Sequence, residues 1–257
     1  MLEQIIAAVR EEGKRMLEAK DICAEEKSGP EDLVTNYDRL VQENLERKLR
    51  NILPDAGFLG EEGLKTHSER TDGGHFVIDP IDGTMNFARG YQRSCISVAL
   101  VRDDRVVLGV VYDPYQDEMF TAELGKGAFL NGKPIQVSDR TLQQGIVMFG
   151  TSPYYRNIAD KTFLLAKNLF DHSLDVRRSG SAAIDLCAVA AGRAEAFYEV
   201  MLSPWDYAAS SLILQEAGGV IEAIEGGAVS LRERSSVLAA NRAAWSMTAK
   251  VVREILA

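Results

Sequence analysis

The sequence predicts a sandwich of mixed sheets and layered helices, of the α+β or α/β class. Three observations carry this expectation. β-type apolar runs fill most of the stretch from Phe76 to Val137. Helical apolar periodicity precedes that block, and strand, helix and strand patterns alternate after it, which calls for sheets covered by helices. At 257 residues the chain is about as long as one core can grow. It reads as a single domain over 1–257, with subdomains conceivable at about 1–145 and 146–257.

Taken in order, Leu2, Ile5, Ile6, Val9, Met16 and Leu17 recur at helical spacing and predict an amphipathic first helix. The segment KSGPEDLVTNYDRLVQENLERKLRNILP reads as a loop and then a second helix, striped by Leu40, Val41, Leu45 and Leu49 and stopped at Pro54. FLGEEG reads as a short strand entering a polar turn. CISVALV and RVVLGVVYD flank Arg102-Asp103-Asp104-Arg105 and predict an antiparallel hairpin. MFTAE and AFLNGKPIQVS follow, with Asn131-Gly132 a type I′ turn signal. IVMFG opens a second half, KTFLLAKNLF reads as a helix, and LDVRRSGSAAIDLCAVAAGRAEAFYEV gives strand, helix and strand. SPWDYAASSLILQEAGG is a further helix ended by Gly218-Gly219, and VVREILA closes on a helix.

Composition narrows the function. The net charge of −9, from 38 acidic and 29 basic residues, disfavours binding to nucleic acid or to an anionic membrane. No segment reaches the ~20 apolar residues of a membrane span, and the acids of the first helix argue against a signal peptide. Cys23, Cys95 and Cys187 are odd in number and widely spaced, so they read as reduced, buried packing residues of a cytosolic protein. His67, His75 and His172 share no ligand spacing, and there is no Gly-x-Ser-x-Gly elbow. GAFLNGKP imitates a P-loop, but Pro134 stands where Ser or Thr should be and the context is a hairpin.

Four carboxylate features remain: Asp79 and Asp82 in FVIDPIDGTMNF, Glu61 and Glu62 in GEEG, Asp206 in SPWDYAAS, and Asp38 in DLVTNYD. Each alone has a harmless explanation. Asp-x-x-Asp-Gly suits a turn, GEEG suits a solvated loop, Asp206 suits the third position of a Pro-started helix, and Asp38 suits an exposed helix face. Together they form an oxygen-only set without His or Cys, the preference of Mg²⁺ rather than Zn²⁺. TMNFA can open a helix whose free N–H groups face the same point, an anion pocket.

These motifs resemble the inositol monophosphatase family of Mg²⁺-dependent, lithium-sensitive phosphatases. FVIDPIDGTMNF is similar to the first family signature and SPWDYAAS to the second; GEEG, DLVTNYD, LGKGAFLNGKPIQVS and EAGG occur in family order. The resemblance implies an α+β fold, a layered αβαβα sandwich, a homodimer, and two to three Mg²⁺ ions per site. Glu61, Asp79 and the Ile81 carbonyl would hold the first ion, Asp79, Asp82 and Asp206 the second, and Glu61 a weaker third. Glu61 and Thr84 would orient the attacking water, with Asp38 completing the proton-accepting pair. The N–H groups of Gly83 and Thr84 would grip phosphate. Gly180, Ser181 and Ala182 would border a polyol whose hydroxyls Glu199 accepts.

Met85 replaces a frequent threonine and Ser210 a frequent glycine; neither touches an implied ligand. Lys27 resembles a loop lysine near the family's site. The substrate class implied is a small sugar or polyol phosphate, with myo-inositol 1-phosphate first. Fructose 1,6-bisphosphate, 3′-phosphoadenosine 5′-phosphate and histidinol phosphate are the competitors on the same fold. Arg177 and Arg178 near Gly180, with Arg89 and Arg93, leave a bisphosphate open. A non-catalytic interaction protein is the reading from a different class.

Overall fold

A computed structural model describes residues 1–29, 32–62 and 73–256. Helices α1 (Leu2–Leu17) and α2 (Asn36–Ile52) flank a hairpin of β1 (Ala24–Gly29) and β2 (Asp32–Thr35). The sequence reads as a loop there, yet the backbone pairs antiparallel from Ala24↔Thr35 to Gly29↔Asp32. AEEKSG lacks apolar alternation because both faces of β1 meet mostly solvent, so main-chain pairing leaves no pattern to read. Pro30 and Gly63, quoted above, and Ala257 of the closing helix lie outside the described residues.

The larger sheet contains β3 (Gly57–Gly60), β4 (His75–Asp82), β5 (Cys95–Arg102), β6 (Arg105–Asp113), β7 (Glu118–Glu123), β8 (Ala128–Leu130) and β9 (Lys133–Ile135), side by side in chain order. β3 pairs parallel with β4, and the later neighbours pair antiparallel. The two hairpin turns form as expected: Asp103 and Asp104 have φ of 49° and 56°, and Asn131 and Gly132 have 49° and 75°. Left-handed backbone at both central residues matches the right-handed twist of the strands. Between β4 and β5 lies the short helix α3 (Thr84–Ala88).

The second half supplies β10 (Ile146–Phe149), α4 (Ala159–Asp171), β11 (Asp175–Arg177), α5 (Ala182–Ala190), β12 (Ala196–Leu202), α6 (Pro204–Glu216), β13 (Val220–Glu222), β14 (Ser235–Ala240) and α7 (Arg242–Leu256). Its five strands run in the order β11-β10-β12-β14-β13. Helices α1 and α2 cover one face of the larger sheet, α5 and α6 fill the space between the sheets, and α4 and α7 cover the far side. The result is an α+β fold, an αβαβα sandwich with three apolar cores among the described residues, one for each helical layer.

Position in this stack explains the helix patterns. α2 buries Val41, Leu45 and Leu49 and leaves Leu40 exposed, while α1 buries Ile5, Val9 and Met16 and exposes Leu17. Each fully buried aliphatic side chain contributes about 1.5–3 kcal/mol relative to exposure. Helices α5 and α6 lie between two sheets and are buried on nearly every side, which is why their sequences are apolar without a stripe. Gly109 on β6 lets α6 approach closely, since a Cβ there would lie 2.5 Å from the Ala209 carbonyl oxygen. Cys95 and Cys187 are buried as expected. Cys23 is exposed, because it precedes the hairpin at the surface rather than joining a core.

Candidate active site

Asp79 and Asp82 stand three residues apart on β4, so a regular strand would point them to opposite faces. The ladder to β5 prevents this. Asp79 pairs with Ser97 and Asp82 with Cys95, so β4 carries one residue more than its partner between those pairs. A bulge of this kind re-aims side chains, and Pro80, which has no N–H to give a ladder, is tolerated within it. The Ile81 N–H donates to Asp79 Oδ1 at 3.0 Å and fixes that carboxylate against the turn. The aspartates of the quoted turn thus come to share one space.

Gly83 follows with φ of +89°. A side chain there would meet the Arg93 carbonyl at 3.0 Å and the Gly180 carbonyl at 3.2 Å. Glycine lets the β4–α3 turn touch the entry to α5. Asn86 ties the same two segments, donating through Nδ2 to the carbonyls of Arg93 at 2.6 Å and Ser179 at 3.0 Å. Thr84 begins α3 and is buried, its hydroxyl 2.9 Å from Asp38 Oδ1 and 3.0 Å from the Ile81 carbonyl.

Asp38 is a fully buried residue of the first turn of α2, not an exposed one. It closes a capping box with Thr35, whose N–H donates to Asp38 Oδ2 at 2.8 Å and whose hydroxyl donates to the same oxygen. One carboxylate oxygen therefore anchors the helix start, and the other faces Thr84. Asp206 is built the same way: the Ser203 N–H donates to its Oδ2 at 2.7 Å across the first turn of α6. Capping and facing the site are compatible, because a carboxylate has two oxygens. Glu61 emerges at the end of β3, its N–H donating to the Ile78 carbonyl at 3.2 Å.

Asp82 has the most support. Its Oδ2 accepts from the Ser181 hydroxyl at 2.6 Å and from the Ala183 N–H at 2.7 Å, with the Cys95 thiol at 3.9 Å. Ser181 is also the N-cap of α5, accepting from the Ile184 N–H at 3.3 Å. That serine is thus a helix cap whose hydroxyl also supports Asp82. The partner the structure shows for it is Asp82. Gly180, with φ of +92°, allows the turn into this cap.

Glu199 sits at a second bulge, where β12 carries one more residue than β14 between Glu199↔Val237 and Leu202↔Ser235. It is buried. Ser152 holds it, donating its N–H at 2.7 Å and lying 3.2 Å away through its hydroxyl.

Burial dominates the electrostatics. It raises the pKa of Asp79 well above the ordinary range, helped by the nearby charges of Glu61, Asp82, Asp206 and Asp38. Asp206 is raised likewise, by burial and then by Asp82 and Glu61. Burial lifts Glu61 to about 7 and Asp82 to about 6, the latter against the hydrogen bonds of Ser181, Ala183, Ala182 and Cys95. Asp38 also rises by burial, opposed by Thr35 and Thr84. These acids thus lie within one another's fields, brought from α2, β3, β4 and α6. Among the described residues no three of them already close into a metal cage.

Such a group favours a cation. Lys27 of β1 supplies one at the rim, donating to Glu61 Oε1 at 3.0 Å and also to Glu62. Burial opposes its charge, and the two glutamates hold it protonated. Among the described residues the donor set, carboxylates and the Ile81 carbonyl without His, fits Mg²⁺ and not Zn²⁺.

Sequence reading missed Thr35, Gln42, Ser152 and Cys95. Thr35-x-x-Asp38 has capping-box spacing and was legible. Gln42 accepts the Glu62 N–H at 2.8 Å across twenty residues, and Ser152 reaches Glu199 across forty-seven; no local pattern marks such contacts.

Comparison with known proteins gives the family. The profile of the Inositol monophosphatase family matches residues 2–257. The "Inositol-1-monophosphatase" of Rhizobium meliloti (strain 1021) is 39% identical over 230 residues, 89% of this chain and 84% of that protein. The "Nus factor SuhB" of Pasteurella multocida (strain Pm70) is 35% identical over 260 residues, 100% of this chain and 94% of that protein. Among solved structures, an IMPase of Thermotoga maritima superposes with a TM-score of 0.87 at 32% identity, covering 98% of this chain and 96% of that one. With its signature aspartates gathered by bulge and cap, the chain belongs to the inositol monophosphatase family.

Proposed function

We propose that the chain is a Mg²⁺-dependent phosphomonoesterase acting on myo-inositol 1-phosphate or a related small sugar or polyol phosphate. The observation that carries this reading is the Thr84–Asp38 hydrogen bond at 2.9 Å, set beside an oxygen-only acid group on four elements. Two to three Mg²⁺ ions, held by Glu61, Asp79, Asp82, Asp206 and the Ile81 carbonyl, would supply positive charge to the phosphate oxygens and make bound water more acidic.

The remaining work falls to the chain. Thr84 Oγ1 has one proton, given to Asp38, so its lone pairs are available to accept a hydrogen bond from water. Asp38, raised by burial, is a better proton acceptor than an exposed aspartate. A proton leaving the water is thus passed through the threonine and held on Asp38 Oδ1. Ser181 and the Ala183 N–H keep Asp82 in one orientation. Glu61, with Thr84, orients the water, and the N–H groups of Gly83 and Thr84 meet the phosphate. Gly180 and Ala182 border the leaving polyol, and Glu199 accepts its hydroxyls. Water attacks phosphorus in line with the ester P–O bond, which breaks as the new P–O bond forms; the leaving alcohol takes its proton from solvent water, and no phospho-enzyme intervenes.

Homodimer formation, lithium sensitivity and a cytoplasmic location extend the proposal on family likeness alone. Among the described residues no helix is long and apolar enough to cross a membrane.

A second reading, an interaction protein, draws support from relatives named "Nus factor SuhB". The full set of implied carboxylates favours the enzyme. The test is phosphate release from inositol 1-phosphate, fructose 1,6-bisphosphate, 3′-phosphoadenosine 5′-phosphate and histidinol phosphate, titrated with Mg²⁺ and Li⁺. Asp82→Asn should lower turnover by orders of magnitude with circular dichroism unchanged, because its amide oxygen still accepts from Ser181 and Ala183 but carries no charge. Near-normal turnover in that variant, or none on any substrate in the parent, would refute the reading.

A further inference from the structure

Asn86 lies in the signature stretch FVIDPIDGTMNF, yet the proposed chemistry gives it no part. It sits on α3, a helix of five residues, too short to hold its own direction in water. Its Nδ2 carries two hydrogens, and the two bonds go to separate segments. One reaches the Arg93 carbonyl at 2.6 Å, in the loop that leads into β5. The other reaches the Ser179 carbonyl at 3.0 Å, in the entry to α5. Gly180 is shaped to this contact, since a Cβ there would stand 2.8 Å from Asn86 Nδ2.

Ser179 passes the contact on. Its N–H points to Asp185 Oδ2 at 3.4 Å, and its hydroxyl accepts from the Ser181 N–H and donates to the Ser181 carbonyl, each at 3.1 Å. The Ser181 hydroxyl and the Ala183 N–H then grip Asp82 at 2.6 and 2.7 Å. A continuous run of contacts thus leads from Asn86 through Ser179 and Ser181 to Asp82. Asp82 and Asn86 are four residues apart on one turn, so that turn docks on the α5 entry at two points. The first point is an acid whose surroundings change with any cation nearby. The second is neutral, and its bonds are indifferent to the charge of the site.

We propose that Asn86 is a positioning residue: by locking the α5 entry onto the β4–α3 turn, it aims Asp82 at the ion that Asp82 holds. The inference rests on the phosphatase reading for the role of Asp82 as an ion ligand. A carboxylate free to turn must be ordered before it can ligate, and that ordering lowers the affinity. With Asn86 in place the fold has done the ordering in advance. Asn86 is not itself a ligand, so its loss should weaken divalent binding and leave the chemical step intact once ions are bound.

The test uses the full chain with Asn86→Ala and Asn86→Asp. Asn86 is half-buried on a short surface helix, so both variants should fold, as urea unfolding will show. Calorimetric titration of Mg²⁺ into chelator-treated protein should find binding roughly tenfold weaker in the Ala variant. Asn86→Asp should weaken it too, although an added negative charge on its own would favour a cation. Amide exchange in chelator should quicken about tenfold at Ser181 and Ala183 and stay as in the parent across the sheets. Excess Mg²⁺ should return phosphate release from myo-inositol 1-phosphate to within about threefold of the parent.

Unchanged Mg²⁺ binding, tighter binding in the Asp variant, faster exchange throughout the chain, or a deficit in release that excess Mg²⁺ does not restore would overturn the proposal. If binding and exchange respond as expected but the parent releases no phosphate from any ester, the phosphatase reading fails and the Asn86 assignment stands. If the parent releases phosphate normally and the Ala variant binds Mg²⁺ as the parent does, the assignment fails alone.

Discussion

Glu199→Gln isolates what one buried acid does to stability. Glu199 is 6% exposed and takes both hydrogen bonds of Ser152 on Oε1, an oxygen that glutamine keeps. Burial raises its pKa, with a further rise from Asp82; the Ser152 hydrogen bonds and Arg178 oppose it, and the balance is a lift from 4.5 to about 7. The fold therefore favours the protonated acid. Its contribution is fully present below 4.5 and is lost as pH rises through about 7. The lift corresponds to about 3 kcal/mol. Other titrating groups are common to both proteins and cancel in the difference.

Urea unfolding in chelator, followed from about pH 4.5 to about pH 8, should show the variant gaining about 3 kcal/mol on the parent over that range. A gap constant to within about 0.5 kcal/mol, or one moving towards the parent as pH rises, would refute the account of Glu199 as a buried acid held mainly protonated.

Two further substitutions probe other parts of the structure. Asp38→Asn keeps one oxygen, which the two Thr35 donors of the capping box hold, and turns its amide NH2 towards Thr84, which removes the proton acceptor. Steady-state kinetics should show kcat reduced about 10²–10⁴-fold with KM and the Mg²⁺ midpoint little changed; a kcat within a few-fold of the parent would exclude Asp38 from proton transfer. Gly109→Ala places a Cβ 2.5 Å from the Ala209 carbonyl oxygen, a backbone atom that cannot step aside cheaply. It should cost about 1–3 kcal/mol and lower the melting temperature by several degrees in a thermal scan, and an unchanged melt would mean that β6 and α6 are not so closely apposed.

Much of the architecture was legible because its signals are local. Asp103-Asp104 and Asn131-Gly132 announce left-handed turns by residue type, and the stripes of α1 and α2 follow from a period that one-sided burial imposes. The hairpin of β1 and β2 was not legible. Its strands are mostly exposed, and pairing through main-chain groups asks nothing of side-chain order. The environments of Leu17, Leu40 and Cys23 were also misjudged, since apolar character records a tendency to be covered and not the neighbour that covers.

For the site, the sequence by itself determined the chemical kind: acids without histidine, in motifs whose order identifies the family. Only the tertiary structure decided how those acids meet. A bulge in β4 turns Asp79 and Asp82 towards one space, capping boxes fix one oxygen each of Asp38 and Asp206, and the first turn of α5 grips Asp82 from a hundred residues away. Residue type sets what a side chain can bind, whereas direction depends on strand register and on contacts between distant segments. Those are properties of packing, and a linear reading of residues has no term for them.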